Sequence, residues 1–261
     1  MPENTIPGMI KALENGANAL EMDIQFTVDG EVVVAHDPYI NRAYSLDSQG
    51  IEIPKKDARK HIIYQMDFSE VRSFDVGSME YSKYPKQKKF KAHIPKLDEL
   101  ISSVETFVED HKLNPVIYNI EIKASPDGDN IWHPAPTELV ARVVKLLKFS
   151  NIENRYYLQS FDKRQIQEVK KSYPEIPVAL LTADRGKTIK QHLKPVGFTP
   201  EIFSPHYKIV TKSMIAQSHN AGMKIVPWTV NDVKAMETLL KKGVDGIITD
   251  YPNVLYQLKN S

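Results

Sequence analysis

The stretch 116–149 decides the fold class: a β-branched run, VIYNIEI at 116–122, precedes a polar-apolar helical stretch, TELVARVVKLLKF at 137–149. The alternation continues to the C-terminus, which is the signature of βα units around a parallel sheet. Residues 156–160 read as a strand and 162–172 (DKRQIQEVKKS) as a helix capped by its aspartate. The runs 178–181, 202–203, 224–228 and 246–248 continue the strand series. Helices from Thr188, Thr211 and Asn231 fill the gaps, the last two ending at Gly222 and Gly243 as helix C-termini prefer. Past the first, longer gap, strand starts recur every 20 to 24 residues, close to the minimum for a strand, a helix and two loops.

Upstream, residues 2–15 (PENTIPGMIKALEN) predict a helix that begins near Asn4 or Thr5 and stops at Gly16. Residues 19–27 predict a strand, and the tight Asp29-Gly30 turn reverses the chain into 32–36, so these two runs form a hairpin. The segment 42–96 breaks the rhythm with a Lys-rich, aromatic-spotted run, YSKYPKQKKFKAH, and reads as an insertion on the rim of a barrel. Its basic character is that of a solvated loop, or of an attractor for an anionic substrate. A helix at 97–107 restores the rhythm. The expectation is therefore seven parallel strands: the one ending near Gln25 and six from Val116 onward. A (β/α)8 barrel has eight, and the strand that should precede the first helix is absent from this chain.

Composition narrows the chemistry. The 261 residues carry 34 Lys+Arg against 33 Asp+Glu, so there is no basic excess for a nucleic-acid backbone. No run approaches the roughly 18 consecutive apolar residues of a membrane span, and the N-terminal MPENTIPGMI is too polar for a signal peptide. With no cysteine there is no disulfide framework, thiolate zinc site or cysteine nucleophile. Chemistry must come from oxygen, imidazole and amine groups.

Glu21 and Asp23 lie at i and i+2 of one strand and face the same way, opposite Leu20, Met22 and Ile24. Glu121 and Lys123 repeat the arrangement, with Ile120 and Ile122 opposite. Three carboxylates converging at a barrel mouth raise one another's pKa unless a cation sits between them. An oxygen-only set selects Mg²⁺ or Ca²⁺ over zinc. The competing reading is a salt-bridge network neutralised by Lys123. His36 closes the apolar run VVVAH before Asp37-Pro38, which places a neutral-pH proton donor or acceptor one hairpin from the carboxylates. Phe161 and Trp228 end strands and either cap the mouth against a substrate's carbon skeleton or belong to the core; His206, also near a strand end, is secondary.

The run PENTIPGMIKALENGANALEMDIQFTVDGEVVVAHDPYINR resembles the N-terminal signature of the glycerophosphodiester phosphodiesterase family. IPKLDELI, NIEIK, LQSFD, PWTVND and GVDGIITDYP follow in the family's order, so the resemblance covers nearly the whole chain outside 43–93. It implies one TIM-type (β/α)8 barrel domain over 1–261, with 43–93 inserted. It further implies a metal-dependent hydrolase of lipid and glycerol metabolism, cleaving glycerophosphodiesters to sn-glycerol 3-phosphate and an alcohol with one divalent cation. Glu21, Asp23 and Glu121 match the metal-binding carboxylates, His36 one of two acid/base histidines, and Glu3 an active-site carboxylate. Lys123 matches the basic residue near the phosphate, and Phe161 and Trp228 the glycerol side. The family also places a His-Arg-Gly motif a few residues before PENT, so that motif is expected just upstream of Met1. Without it the chain as numbered lacks one proton-transfer group, and a loss of about 10²- to 10⁴-fold in rate is expected while metal binding persists. Related barrel phosphodiesterases acting on phosphoinositides or lysophospholipids, and a non-catalytic metal- or phosphate-binding barrel, are the alternatives.

Overall fold

The computed structural model describes residues 1–260. Helix α1 (Ile6–Glu14) starts at Thr5, whose hydroxyl accepts from the Gly8 N–H, and stops at Gly16, held at a left-handed φ of 89°. Strand β1 (Ala19–Phe26) then turns back into β2 (Val32–Val34), antiparallel, with Ile24 opposite Val34 and Phe26 opposite Val32. The expected hairpin is present. Its second strand ends two residues before His36, where the chain turns toward Pro38.

The segment 42–96 folds around a small second core, in which its Ile53, Ile63, Val71, Phe74 and Ile94 are buried with Val33, Ala35 and Ile40 from the chain before it. It contains α2 (Phe68–Ser73), a six-residue helix too short to show a periodic pattern in the sequence. Asp75 fastens the Lys-rich excursion: its buried carboxylate accepts from the backbone N–H groups of Gly77 (2.9 Å), Ser78 (3.1 Å) and Ala92 (3.3 Å). Burial alone would raise its pKa. The hydrogen bonds from Ser78 and the backbone outweigh it and hold the carboxyl below the usual range.

From α3 (Leu97–Asp110) onward strands and helices alternate: β3 (Ile117–Ile122), α4 (Pro136–Lys148), β4 (Tyr156–Ser160), α5 (Lys163–Ser172), β5 (Val178–Thr182) and α6 (Ile189–Leu193). They continue as β6 (Ile202–Pro205), α7 (Lys212–Asn220), β7 (Lys224–Ile225), α8 (Val233–Lys242) and α9 (Pro252–Asn260). The sheet order is β2-β1-β3-β4-β5-β6-β7, every pair but β1–β2 parallel. Leu20, Met22, Ile24, Ile120, Ile122 and Leu158 join the buried helix residues Leu100, Val104, Leu139, Val143 and Val169 in the main core. On β1, β3 and β4 this leaves the other face for polar groups.

Two strand expectations need correction. Strand β7 ends at Ile225 instead of 228, and 246–248 is not a strand, so the sheet holds six parallel strands among the described residues, not seven. Part of the ladder survives, since Asp245 N–H donates to Ile225 O (3.0 Å), Ile248 N–H to Pro227 O (3.0 Å) and Val230 N–H to Ile248 O (2.9 Å). Pro227 has no N–H to add, which leaves the pairing too sparse for a regular strand. Between 246–248 and β1 the sheet is open. Helix α9 was not anticipated; Tyr256 on it packs against Gly16, where an added Cβ would lie 2.4 Å from the ring.

Replacing Asp75 by Ala strands three buried or half-buried N–H groups at about 1–3 kcal/mol each before relaxation. Hydrogen exchange over 76–92 is expected to accelerate while β3 stays protected. Uniform acceleration across the chain would show that Asp75 does not act locally.

Candidate metal centre and active site

Alternation along β1 puts Glu21, Asp23 and Gln25 on the face away from the apolar core, and β3 does the same for Asn119 and Glu121. The parallel register sets Asp23 opposite Glu121, and Glu121 opposite Gln159 of β4. One oxygen from each of Glu21, Asp23 and Glu121 lies within 4.8 Å of the others. Asn4 reaches the cluster from the turn before α1: its Nδ2 donates to Asp23 Oδ2 (2.9 Å) and its Oδ1 accepts from the Asp23 N–H (3.2 Å). Asn4 has a left-handed φ of 54°, a conformation asparagine tolerates. Gln159 Nε2 donates to Glu21 Oε1 (2.9 Å).

Burial, then the charges of Asp23 and Glu121, pushes the Glu21 carboxyl well above its ordinary range. Glu121 is pushed up to about 7 by burial and Asp23, despite Lys123. Lys123 Nζ lies 3.0 Å from Glu121 Oε1 and 3.6 Å from Asp23 Oδ1; burial would lower its pKa, but these carboxylates hold it above the usual value. The salt bridge is therefore real and insufficient, because one ammonium faces three carboxylates. Below them Asn119 is buried with neither amide atom partnered, and Gln159 Oε1 is likewise without a partner among the described residues. A hard, oxygen-only donor set with surplus negative charge and spare amide oxygens fits a divalent cation.

Among the mouth residues, His36 lies between an acid and a base. Its Nδ1 lies 3.3 Å from Asp37 Oδ1 and its Nε2 accepts from Lys123 Nζ at 3.4 Å. The Asp37 hydrogen bond raises the His36 pKa against burial. Asp37 also accepts from Asn41 Nδ2 (2.7 Å) and Tyr44 Oη (3.2 Å), so the imidazole is aimed by a braced carboxylate. Glu3 is accessible to solvent yet crowded, sharing a recess with Asn4, His36 and Tyr44; burial raises its pKa against the charges of Lys83 and His36. Across the mouth, Phe161 and Trp228 meet edge to face with ring centroids 5.3 Å apart, and His206 packs on Trp228 at 5.1 Å. Trp228 Nε1 donates to Ser204 O (2.9 Å), leaving the ring half-exposed. Of the residues singled out in the sequence, the three carboxylates cluster, Lys123 links Asp23 and Glu121 to His36, Glu3 shares a recess with His36, and Phe161 and Trp228 form a separate wall. Asn4, Asp37 and Tyr44 were missed; the first two stand inside the quoted PENT and HDP runs, whereas nothing local marks Tyr44.

Taken together, these features define an α/β barrel-type protein with a carboxylate triad that could hold a hard cation, beside a Lys–His pair. Residues 1–254 match the glycerophosphoryl diester phosphodiesterase family, and the chain belongs to it. It is 29% identical over 260 residues to a glycerophosphodiester phosphodiesterase of Caldanaerobacter subterraneus subsp. tengcongensis, covering 99% of this chain and 92% of that protein. A glycerophosphodiester phosphodiesterase of Bacillus altitudinis is 28% identical, with 97% and 90% covered. Among solved structures, a Silicibacter pomeroyi protein superposes with a TM-score of 0.87 at 27% identity, over 99% of this chain and 88% of the other. An Oleispira antarctica phosphodiesterase solved with the product sn-glycerol-3-phosphate shares the fold, with a TM-score of 0.77 at 21% identity over 100% and 92%.

Carboxyls whose folded pKa lies above the unfolded value lose stability as pH rises from about 4.5 through the value near 7 of Glu121. After chelation, the protein is expected to be less stable at pH 8 than at pH 5.5. Added Mg²⁺ or Ca²⁺ should raise Tm more at pH 8 than at pH 5.5, and a hundredfold excess over Kd adds roughly 2.7 kcal/mol of stability. Asp23→Asn should shrink that rise; an undiminished rise in calorimetry would remove Asp23 from the cation's ligands.

Proposed function

We propose that the chain hydrolyses glycerophosphodiesters to sn-glycerol 3-phosphate and an alcohol, using one Mg²⁺ or Ca²⁺ held by Glu21, Asp23 and Glu121. The observation that supports this most is the pairing of surplus negative charge with Lys123 and His36 at one mouth. A carboxylate cluster alone would suit only a structural ion; the adjacent ammonium and imidazole suit an anionic substrate whose P–O bond must break.

When bound, the cation supplies Lewis acidity and a template for the phosphate and the neighbouring glycerol hydroxyl. Lys123 stays charged between Glu121 and His36, and offsets charge on the phosphoryl oxygens that face it. His36 keeps a proton on Nδ1 for Asp37, which leaves Nε2 to take or deliver the proton of the attacking or departing oxygen. Glu3, which shares the recess with His36 and Asp37, supports that exchange. Phe161 and Trp228 take the glycerol carbons against their exposed edges and exclude water on that side. We take the whole chain as one barrel domain in which 43–93 is an insertion that sets Tyr44, Tyr81 and Tyr84 beside the recess of His36.

Incubation with glycerophosphodiesters and Mg²⁺ or Ca²⁺ is expected to release sn-glycerol 3-phosphate, quantified by an enzyme-coupled assay, and chelation should abolish it. His36→Ala is expected to lower kcat by about 10²- to 10⁴-fold with the cation-induced rise in Tm retained. Release that survives chelation, or a His36→Ala variant as fast as the parent, would contradict the proposal.

A further inference from the structure

The excursion 81–91, YSKYPKQKKFK, carries five lysines and no acid. Its first turn is fixed. Tyr84 N–H donates to Tyr81 O (2.9 Å), the two rings meet at 5.6 Å, and Tyr81 packs on Tyr44 at 5.2 Å. Tyr44 in turn donates to Asp37, the carboxylate that aims His36. At the other end Tyr84 Oη donates to Asp250 Oδ2 (2.6 Å), which also accepts from Asn231 Nδ2 (2.7 Å). Three tyrosines thus form a wall that runs from the catalytic imidazole to the loop before α9. Lys83 projects from the turn with its Nζ 4.9 Å from the centre of the Tyr84 ring, and it has no carboxylate within ion-pair distance among the described residues. Lys89, by contrast, is paired with Glu80 at 3.1 Å.

The proposed reaction gives this wall a place in the substrate. With the phosphate beside Lys123 and His36, an alcohol that departs past Glu3 and Tyr44 meets the 81–84 turn. Lys123 is committed to Glu121 and Asp23. Lys83 is an uncommitted cation on that side, the one held on the Tyr84 ring, and its charge is the largest acting on Glu3. We infer that Lys83, held on the Tyr84 ring, forms a subsite for the alcohol portion and favours diesters whose alcohol carries a further anionic group, a carboxylate or a phosphate. This rests on the function proposed above and adds a substrate class to it. A cationic alcohol such as an ethanolamine would meet Lys83 unfavourably, and only the tyrosine faces would offset that.

Three size-matched sn-glycerol-3-phosphodiesters, of glycolate, ethanol and ethanolamine, test the assignment with the full chain and a divalent cation at low ionic strength. Both kcat/KM and calorimetric affinity are expected to rank glycolate over ethanol over ethanolamine. The glycolate-to-ethanol ratio should be about two- to fivefold, the range of an exposed ion pair, carried by KM and shrinking with salt. Lys83→Glu should reverse the order and Lys83→Arg keep it. Equal affinity for the three diesters in the parent chain overturns the subsite even if nothing is hydrolysed. An unchanged ranking in Lys83→Glu with a shifted pH profile overturns it too, since Lys83 would then act only on Glu3. Absence of glycerol 3-phosphate from all three esters, with the affinity ranking intact, counts against the hydrolase reading alone and leaves the subsite standing.

Discussion

Register between two strands is the constraint on which the rest depends. Asp23 lies opposite Glu121 in the β1–β3 pairing, and alternation along β1 adds Glu21 on the same face. A slip of one residue would turn these carboxylates into the apolar core and expose Met22 and Ile120 to the polar interior. The apolar outer face therefore enforces the convergence of charge that its own packing stabilises. That convergence is costly without a cation, and the raised pKa values of Glu21 and Glu121 express the cost.

Around this centre the supporting groups come from segments distant in sequence. Asn4 holds Asp23 from the turn before α1, Gln159 holds Glu21 from β4, and Asp37 and Tyr44 orient His36 from the loops after β2. Asp75 closes the base of the excursion that carries the tyrosine wall. The groups of the candidate centre are thus each hydrogen-bonded in place, and the segment 43–93 supplies the tyrosines on which the proposed alcohol subsite rests.

Much of this was readable from the sequence because it depends on local periodicity. The i, i+2 spacing of Glu21 and Asp23, its echo at Glu121 and Lys123, and the Asp29-Gly30 turn each have a single geometric consequence. Helices from Thr188, Thr211 and Asp162 start where their caps predict. What escaped depends on contacts between distant segments. Pro227 looks like part of a strand until the ladder on both sides is counted, and the run 246–248 looks like one until its missing neighbour is seen. Tyr44 and Tyr84 carry no signal at all, since their partners Asp37 and Asp250 are set by the path of an aperiodic segment.

The account stands or falls on one cation at the three carboxylates. Anomalous diffraction from crystals soaked in Mn²⁺ tests this most directly. It should show a single peak within about 2.0–2.6 Å of oxygens from Glu21, Asp23 and Glu121, with Lys123 beside it. A map without that peak at saturating Mn²⁺, with Lys123 still bridging Asp23 and Glu121, would mean that the carboxylates serve a salt-bridge network and not a metal centre.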